Sequence, residues 1–238
     1  MNSNNISKIA IIPARGGSKR IHRKNIRDFL GKPIIAYSIE AALKSELFDE
    51  VMVSSDDKEI AEIAQKYGAN IPFMRSKKNA DDFATTSDVL LEVLEEYKKR
   101  DRKFDYLCCI YPTAPFVSAE KLQNSFNLMV EKKADSVILV VKFSHPIQRA
   151  FKISSEGKLE YIWPQNINKR SQDLEPAYHD AGQFYWIKIT SFLKNKSLIT
   201  SQTVPFIVSE MESQDIDNEI DYEITEIKYK LVNKEKEK

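Results

Sequence analysis

Five basic side chains lie within ten residues of one another, directly after a short apolar run near the start of the sequence. The apolar run, residues 9–12, predicts a buried strand, and the loop after it contains the adjacent glycines Gly16 and Gly17. Adjacent glycines permit positive φ and let a ligand approach bare backbone N–H groups, which together suit an anion. Lys and Arg add full charges that pair with phosphate oxygens. We therefore predict a site for a nucleoside triphosphate, surrounded by Arg15, Lys19, Arg20, Arg23 and Lys24.

A glycine turn with a solvated basic face is the alternative interpretation of this segment. The segment has neither the P-loop pattern, with its Lys and Ser or Thr directly after a spaced glycine, nor the dinucleotide-binding fingerprint. The density of positive charge directly after a strand favours phosphate binding over the plain turn.

Two carboxylates near the other end of the sequence, Asp215 and Asp217, bracket one residue just before a predicted helix. In an extended segment both can point the same way. Two hard oxygen ligands together with substrate phosphates are a usual way to hold Mg²⁺. Helix capping is the alternative, because Asp is favoured at helix N-termini. Opposite a phosphate-binding loop, metal binding is the favoured interpretation.

Nucleophilic catalysis is not indicated by the sequence. His22, His145 and His179 have no metal-site spacing, and no Ser or Cys lies in a recognisable nucleophile motif. Phosphoryl-type transfer needs mainly positioning and charge neutralisation, so this absence agrees with the predicted triphosphate site.

The elements that would position these residues alternate between apolar runs of strand length and segments of helical periodicity. This βαβ rhythm predicts an α/β fold with a mostly parallel sheet flanked by helices. Ligands of such sheets bind outside the carboxyl ends of the strands. Three polar loops follow predicted strands and should meet there: the basic loop, residues 54–56 and residues 112–115.

The rhythm changes between residues 143 and 179. A hairpin is predicted around Glu156-Gly157, and aromatic and arginine side chains are scattered through the segment, as is common at subunit interfaces. We predict a catalytic nucleotide-binding domain from residues 1–142 and 180–232, interrupted by an excursion at 143–179 that contacts a second subunit. A lid or a plain surface loop is the alternative. Residues 233–238 are predicted to be a charged tail.

Composition excludes several classes of function. The 238 residues carry a net charge of +1, so no global field attracts nucleic acid or an anionic membrane. No apolar run is long enough to span a membrane, and the first residues lack a hydrophobic signal core. Cys108 and Cys109 are neighbours in a predicted strand and should point to opposite faces, which disfavours a disulfide. These features predict a reduced, cytoplasmic protein.

Three segments resemble the signatures of the acylneuraminate cytidylyltransferases, or CMP-sialic acid synthetases: residues 12–25, residues 75–87 and Gln214-Asp215-Ile216-Asp217. The resemblance extends over almost the whole chain. It implies a Rossmann-like nucleotide-diphospho-sugar transferase fold and a homodimer. The implied reaction is transfer of CMP from CTP to a nonulosonic acid, with Mg²⁺ and release of pyrophosphate.

Two segments depart from the sialic acid enzymes. Residues 111–116 replace their Gln-Pro-Thr-Ser-Pro motif, and residues 179–186 replace their Asn-Gly-Ala segment. These variants resemble the members of the family that activate pseudaminic acid for glycosylation of bacterial surface structures such as flagellin. The alternatives are sialic, legionaminic or 3-deoxy-manno-octulosonic acid as the acceptor, or a nucleotide-binding protein that has lost transfer.

The resemblance also implies roles for individual residues. It implies that CTP is bound by Ala14, Arg15, Gly16, Gly17, Ser18, Lys19, Lys24, Asn25, Arg75 and Thr86 or Ser87. It implies that the sugar is bound by Thr113, His179 and Gln183, together with residues of the excursion. It implies that Asp215 and Asp217 hold the metal, and that the catalytic residues are these two with Arg15 and Lys24.

Overall fold

The computed structural model describes residues 6–236 of the chain. Its strands are β1 (Lys8–Pro13), β2 (Asp28–Phe29), β3 (Lys32–Pro33), β4 (Glu50–Ser54), β5 (Tyr106–Ile110), β6 (Ser136–Lys142), β7 (Phe151–Ile153), β8 (Leu159–Tyr161), β9 (Tyr178–Lys188) and β10 (Thr203–Val208). Its α-helices are α1 (Ile34–Lys44), α2 (Lys58–Lys66), α3 (Thr86–Lys98), α4 (Ala119–Glu131), α5 (Ile189–Asn195) and α6 (Glu219–Lys236). None of these helices is both long enough and apolar enough to cross a membrane.

A six-stranded sheet organises the molecule, with strand order β10-β6-β9-β5-β1-β4. β1 is parallel to β4 and β5, and β6 is parallel to β10. Only β9 among the strands of this sheet is antiparallel to its neighbours, β5 and β6. The predicted α/β fold with a mostly parallel sheet is confirmed.

Helices cover both faces of the sheet. Alternate strand residues point to opposite sides, and because these residues are apolar on both sides, each face must be buried. Cys108 packs on the face covered by α1, α2 and α4, whereas Cys109 packs on the face covered by α3 and α5. Both thiols are free and fully buried, and burial raises the pKa of each. The prediction that they are core residues on opposite faces is confirmed.

A third, smaller cluster ties the two ends of the chain together. It joins Ile21 of the basic loop to Ile216, which lies between the two aspartates, and both side chains are 1% exposed. Phe29 and Tyr37 belong to the same cluster, and Tyr222 of α6 packs edge-on against Phe29 with ring centroids 5.7 Å apart. Burial of these apolar side chains therefore fixes the segment 215–217 against the loop that follows β1.

Several helix boundaries are set by short polar side chains. Asp57 caps α2 by accepting a hydrogen bond from the backbone N–H of Ile60, and Gly68 follows the end of the helix with φ of 94°. For α3 the sequence pattern predicts a cap at Thr86 or Ser87, but the structure places it at Thr85, whose hydroxyl and the carboxylate of Asp88 form a reciprocal capping box.

Three other predictions about local structure are corrected. The sequence predicts Pro33 as the first residue of α1, where proline is favoured, but Pro33 ends β3 with an extended ψ of 135° and precedes the helix. The apolar residues 71–74 predict a short extended segment, but none of them pairs with the sheet in the described structure, in which Asn70 forms an isolated bridge to Met52. α6 continues to Lys236, into the segment that was predicted to be a charged tail, and residues 237–238 lie outside the described part.

The segment between β6 and β9 leaves the sheet and carries the predicted hairpin, in which β7 and β8 pair antiparallel. Gly157 occupies its turn with φ of 76°. β9 starts at Tyr178 and pairs with the end of β6 before a bulge, where the register shifts and Gly182 adopts φ of 62°.

We predict that Ile216→Ala lowers the free energy of unfolding by about 2–5 kcal/mol, because it removes a fully buried side chain that joins two distant segments. Ile199, which is 53% exposed, is the matched control, and Ile199→Ala should change it by less than about 0.5 kcal/mol. Urea denaturation followed by circular dichroism measures both. Equal losses for the two variants would show that the small cluster does not hold the chain ends together.

Candidate active site

A cleft of about 360 Å³ opens at the carboxyl ends of β1 and β5. Its walls come from the basic loop, the loop before α3, the start of α3, the residues after β5 and the segment before α6. The predicted site residues that line it are Arg15, Ser18, Lys19, Lys24, Asn25, Arg75, Thr86, Thr113 and Asp215. Segments from both ends of the sequence thus meet in one cleft, as the topology of a parallel sheet requires.

Two cations of the cleft share one carboxylate from the loop before α3. Asp82 accepts a hydrogen bond from the guanidinium of Arg15 at 3.0 Å and forms an ion pair with the ammonium of Lys19. The pKa of Asp82 is lowered, chiefly by its hydrogen bond from Lys19. All three side chains are exposed, so these ion pairs are weak and readily exchanged for other anions.

The other end of the basic loop contacts the segment before α6. Lys24 donates a hydrogen bond of 2.6 Å from its ammonium to the carbonyl of Ile216, and Arg20 pairs with the carboxylate of Asp217 at 2.7 Å. Burial lowers the pKa of Lys24, and the carboxylates of Asp215 and Asp217 oppose that shift. The cations therefore directly face the acidic pair.

Two buried polar side chains stiffen the floor of the cleft. Asn25 donates a hydrogen bond of 2.9 Å to the carbonyl of Arg15, which closes the basic loop on itself. Arg75 donates to the carbonyl and the hydroxyl of Ser54 at 2.5 and 3.0 Å, at the end of β4. Burial lowers the pKa of Arg75, and the negative charges of Asp56 and Glu92 oppose that shift.

The adjacent glycines do not form the predicted nest with positive φ, since neither has a left-handed backbone. The N–H of Gly16 donates to the carboxylate of Asp56 at 3.0 Å. A Cβ on Gly16 would lie 2.7 Å from a carboxylate oxygen of Asp57, whereas a Cβ on Gly17 would meet nothing within 4 Å. Close packing against Asp57 therefore explains Gly16, whereas neither packing nor backbone conformation in the described residues requires a glycine at position 17.

The acidic pair before α6 does not cap that helix. The first turn is capped instead by a reciprocal pair, in which Asn218 accepts from the N–H of Asp221 and Asp221 accepts from the N–H groups of Asp217 and Asn218. Within residues 6–236, nothing donates a hydrogen bond to the carboxylate of Asp215.

The donor set of this pair fits a hard divalent cation. No group of three or more His, Cys, Asp or Glu is placed for a metal in the described part of the chain. Two carboxylates suffice where phosphate oxygens and water complete the coordination, as for Mg²⁺.

Some predicted site residues lie outside the cleft lining. Ala14 is buried and its N–H donates to the carbonyl of Ser54. Ser87 lies on α3 beyond the lining, and His179 is exposed on β9 with its ring beside Phe143. Gln183 is 2% exposed, and its side-chain amide donates to the carbonyl of Glu212 at 2.6 Å.

Two cleft residues escaped the sequence analysis as individual contributors. Asp82 neutralises the basic loop, and the adjacent acids Asp81 and Asp82 were the signal that could have identified it. Tyr111, the first residue after β5, lines the cleft together with Thr86. Burial raises the pKa of Tyr111. Its position at the end of a central strand was the signal for it.

The chain is similar to known proteins over almost its full length. A family model described as cytidylyltransferase matches residues 9–227. Pseudaminic acid cytidylyltransferase of Campylobacter jejuni subsp. jejuni serotype O:2 is 41% identical over 226 residues, which cover 95% of this chain and 97% of that protein. CMP-N,N'-diacetyllegionaminic acid synthase of Legionella pneumophila subsp. pneumophila is 35% identical over 225 residues, covering 92% of this chain and 94% of that protein.

The fold is also similar to that of a solved structure. CMP:2-keto-3-deoxy-manno-octonic acid synthetase, complexed with CTP, superposes with a TM-score of 0.67 at 17% identity, covering 96% of this chain and 99% of that one. At this level of identity the similarity concerns the fold.

We predict that Gly16→Ala lowers the free energy of unfolding by about 1–3 kcal/mol, because the new methyl group overlaps the carboxylate of Asp57, which Arg23 and the α2 cap hold in place. Gly17→Ala is the matched control and should leave it unchanged or raise it by up to about 1 kcal/mol. Denaturant unfolding measures both. A loss at Gly17 as large as that at Gly16 would contradict the packing explanation.

Proposed function

This chain belongs to the cytidylyltransferase family, and we propose that it transfers CMP from CTP to pseudaminic acid, a nine-carbon sugar acid, with release of pyrophosphate. The observation that carries the proposal is the meeting of the basic loop and Asp215 in one cleft. The choice of acid is supported by the 41% identity to a pseudaminic acid cytidylyltransferase over 95% of the chain.

In the proposed reaction the anomeric hydroxyl of the acid attacks the α-phosphorus of CTP. The new bond joins that oxygen to phosphorus, the bond from the α-phosphorus to the bridging oxygen breaks, and pyrophosphate leaves. The hydroxyl proton is released. The protein contributes mainly positioning and charge, as is general for phosphoryl transfer.

The triphosphate is proposed to bind along the basic loop. Arg15 and Lys19 line the cleft with Ser18, and phosphate oxygens would replace Asp82 as their partner. Lys24 lies deeper, half-buried beside the acidic pair, where it would neutralise charge near the α-phosphate. The exposed backbone of Gly17 leaves room for close approach.

The cytidine is proposed to bind against Asn25, Arg75 and Thr86. Asn25 and Arg75 are buried and rigidly bonded, so they would present fixed polar atoms to the nucleotide. Ser87 does not line the cleft, so of the two neighbouring residues we assign this role to Thr86.

Mg²⁺ is proposed as the cofactor, with Asp215 and Asp217 as its ligands. When bound there, the ion would align the α-phosphate and neutralise its developing charge. Asp217 is paired with Arg20 and would exchange that partner for the metal. Asp215 already faces the cleft without a hydrogen-bond donor among residues 6–236.

The acid is proposed to bind beside Thr113, with Gln183 and His179 contributing from β9. The side-chain carbonyl oxygen of Gln183 is buried and accepts no hydrogen bond from the described residues. The backbone of Gln183 lies beside the end of β5, because Tyr111 donates its N–H to the backbone carbonyl of Gln183 at 2.8 Å. His179 is exposed away from the cleft lining, so a second subunit is proposed to complete this side.

A homodimer is proposed to form through the excursion. Its hairpin exposes large apolar side chains, with Ile153 73% and Leu159 70% exposed, and Phe151 is half-exposed beside them. Such patches are typical of protein interfaces. We also propose a cytoplasmic location, because the free thiols Cys108 and Cys109 suit a reducing compartment.

We predict that a panel of purified acids with CTP and Mg²⁺, scored by pyrophosphate release, gives the highest kcat/KM with pseudaminic acid. The panel includes N-acetylneuraminic, legionaminic and 3-deoxy-manno-octulosonic acids, and the 35% identity to a legionaminic acid enzyme makes that acid the main competitor. A higher kcat/KM with another acid would reassign the substrate. Binding of CTP without pyrophosphate release from any acid would favour the silent nucleotide-binding protein.

We further predict that Asp215→Ala and Asp217→Ala each lower kcat by about 100- to 1,000-fold, the loss expected when several kcal/mol of metal stabilisation is removed. Glu62→Ala, an exposed change on α2, is the control and should retain full activity. Circular dichroism checks that each variant is folded, and Mn²⁺ binding followed by electron paramagnetic resonance reports the metal site directly. Near-normal turnover and Mn²⁺ binding in either aspartate variant would remove that residue from the site.

A further inference from the structure

α6 has two apolar faces, and only one of them is covered by the molecule. Tyr222 and Thr225 are buried against the rest of the chain. The residues on the opposite side form what we call the α6 stripe: Ile220, Ile224, Ile227 and Leu231. Sequence periodicity predicts that these four residues share one face of the helix, and the structure confirms it. That face is not buried, however, because the exposed fraction of its side chains ranges from 37% at Ile224 to 67% at Ile220.

The spacing of the α6 stripe is that of a two-helix seam. Its residues follow one another at intervals of four, three and four, which are the a and d positions of a heptad repeat. An isolated apolar contact would not need this spacing. Because the stripe spans three turns of the helix, its occupant should itself be a helix of similar length.

Charge along the edge of the stripe identifies that helix. Glu223 and Lys230 lie seven residues apart on the same edge, and both are exposed. When two copies of α6 pack antiparallel about a two-fold axis, Ile224 of one faces Ile227 of the second, and Ile220 faces Leu231. The same register places Glu223 opposite Lys230 of the second copy, twice. The edge is therefore complementary to itself.

The charges on the other edge are already used within the chain. Asp221 accepts hydrogen bonds from the N–H groups of Asp217 and Asn218, and Lys228 donates to the carbonyls of Glu210 and Ser213. They secure the first turn of α6 and the segment before it. Glu223 forms no ion pair within residues 6–236, and Lys230 has only a 4.0 Å contact with Glu226.

We propose that the α6 stripe is an interface with a second copy of this chain, in which the two α6 helices pack antiparallel and are held in register by Glu223 and Lys230 of opposite copies. This surface is separate from the hairpin proposed as a dimer contact, and the proposal does not depend on the reaction catalysed.

Charge exchange tests the register directly in the full-length protein. Glu223→Lys and Lys230→Glu each place like charges opposite one another at two points, so each variant should lower the mass measured by light scattering to half that of the wild type. The apparent dissociation constant should rise roughly tenfold or more, as expected for opposed like charges. The double variant E223K/K230E restores opposite charges and should recover the wild-type mass.

Glu131→Lys on α4 reverses another exposed charge, away from the α6 stripe, and should leave the mass unchanged. Thermal unfolding and turnover check that each variant is folded, since neither Glu223 nor Lys230 lines the cleft. A monomeric wild type, single variants with wild-type mass, or a double variant that stays dissociated would each overturn the proposal. The last result would be expected if any partner other than an antiparallel α6 covered the stripe.

Discussion

Burial of Ile21 and Ile216 in one small cluster is the contact on which the cleft depends. Ile21 lies inside the basic loop, and Ile216 lies between the two aspartates near the other end of the chain. Ile216 packs in the cluster, whereas its neighbour Asp215 lines the cleft. An apolar contact therefore brings together groups of opposite charge that would otherwise rely on screened attraction at a protein surface.

The positive charges of the basic loop are neutralised by carboxylates from three segments of the chain. Like charges in the basic loop repel, and they are balanced from the loop before α3, from the start of α2 and from the segment before α6. The pairs differ in exposure. Arg23 is part-buried against Asp57, whose pKa it lowers, so this pair acts as scaffold. The pairs to Asp82 are exposed and can exchange for phosphate at low cost.

Much of this arrangement could be predicted from sequence. The strands could be predicted from short apolar runs, and the position of the cleft from the rule that ligands bind at the carboxyl ends of parallel strands. The failures came from tertiary contacts that no local pattern contains. Gly16 is constrained by Asp57 rather than by its own φ, and Asp82 faces Arg15 only after folding. The periodicity of α6 revealed an apolar face, but periodicity does not say whether the covering surface belongs to the same chain.

The two segments that depart from the sialic acid motif are one packed unit in the structure. Tyr111 donates its N–H to the carbonyl of Gln183, and its ring lies 5.3 Å from that of Tyr185. The hydroxyl of Tyr185 in turn donates to the carboxylate of Asp180 at 2.9 Å. The energetic effects of substitutions at residues in direct contact are not additive. The departures from the motif at residues 111–116 and 179–186 are therefore best understood together. If the acid binds here as proposed, substitutions at residue 111 and in the bulge of β9 should therefore have coupled effects on its binding.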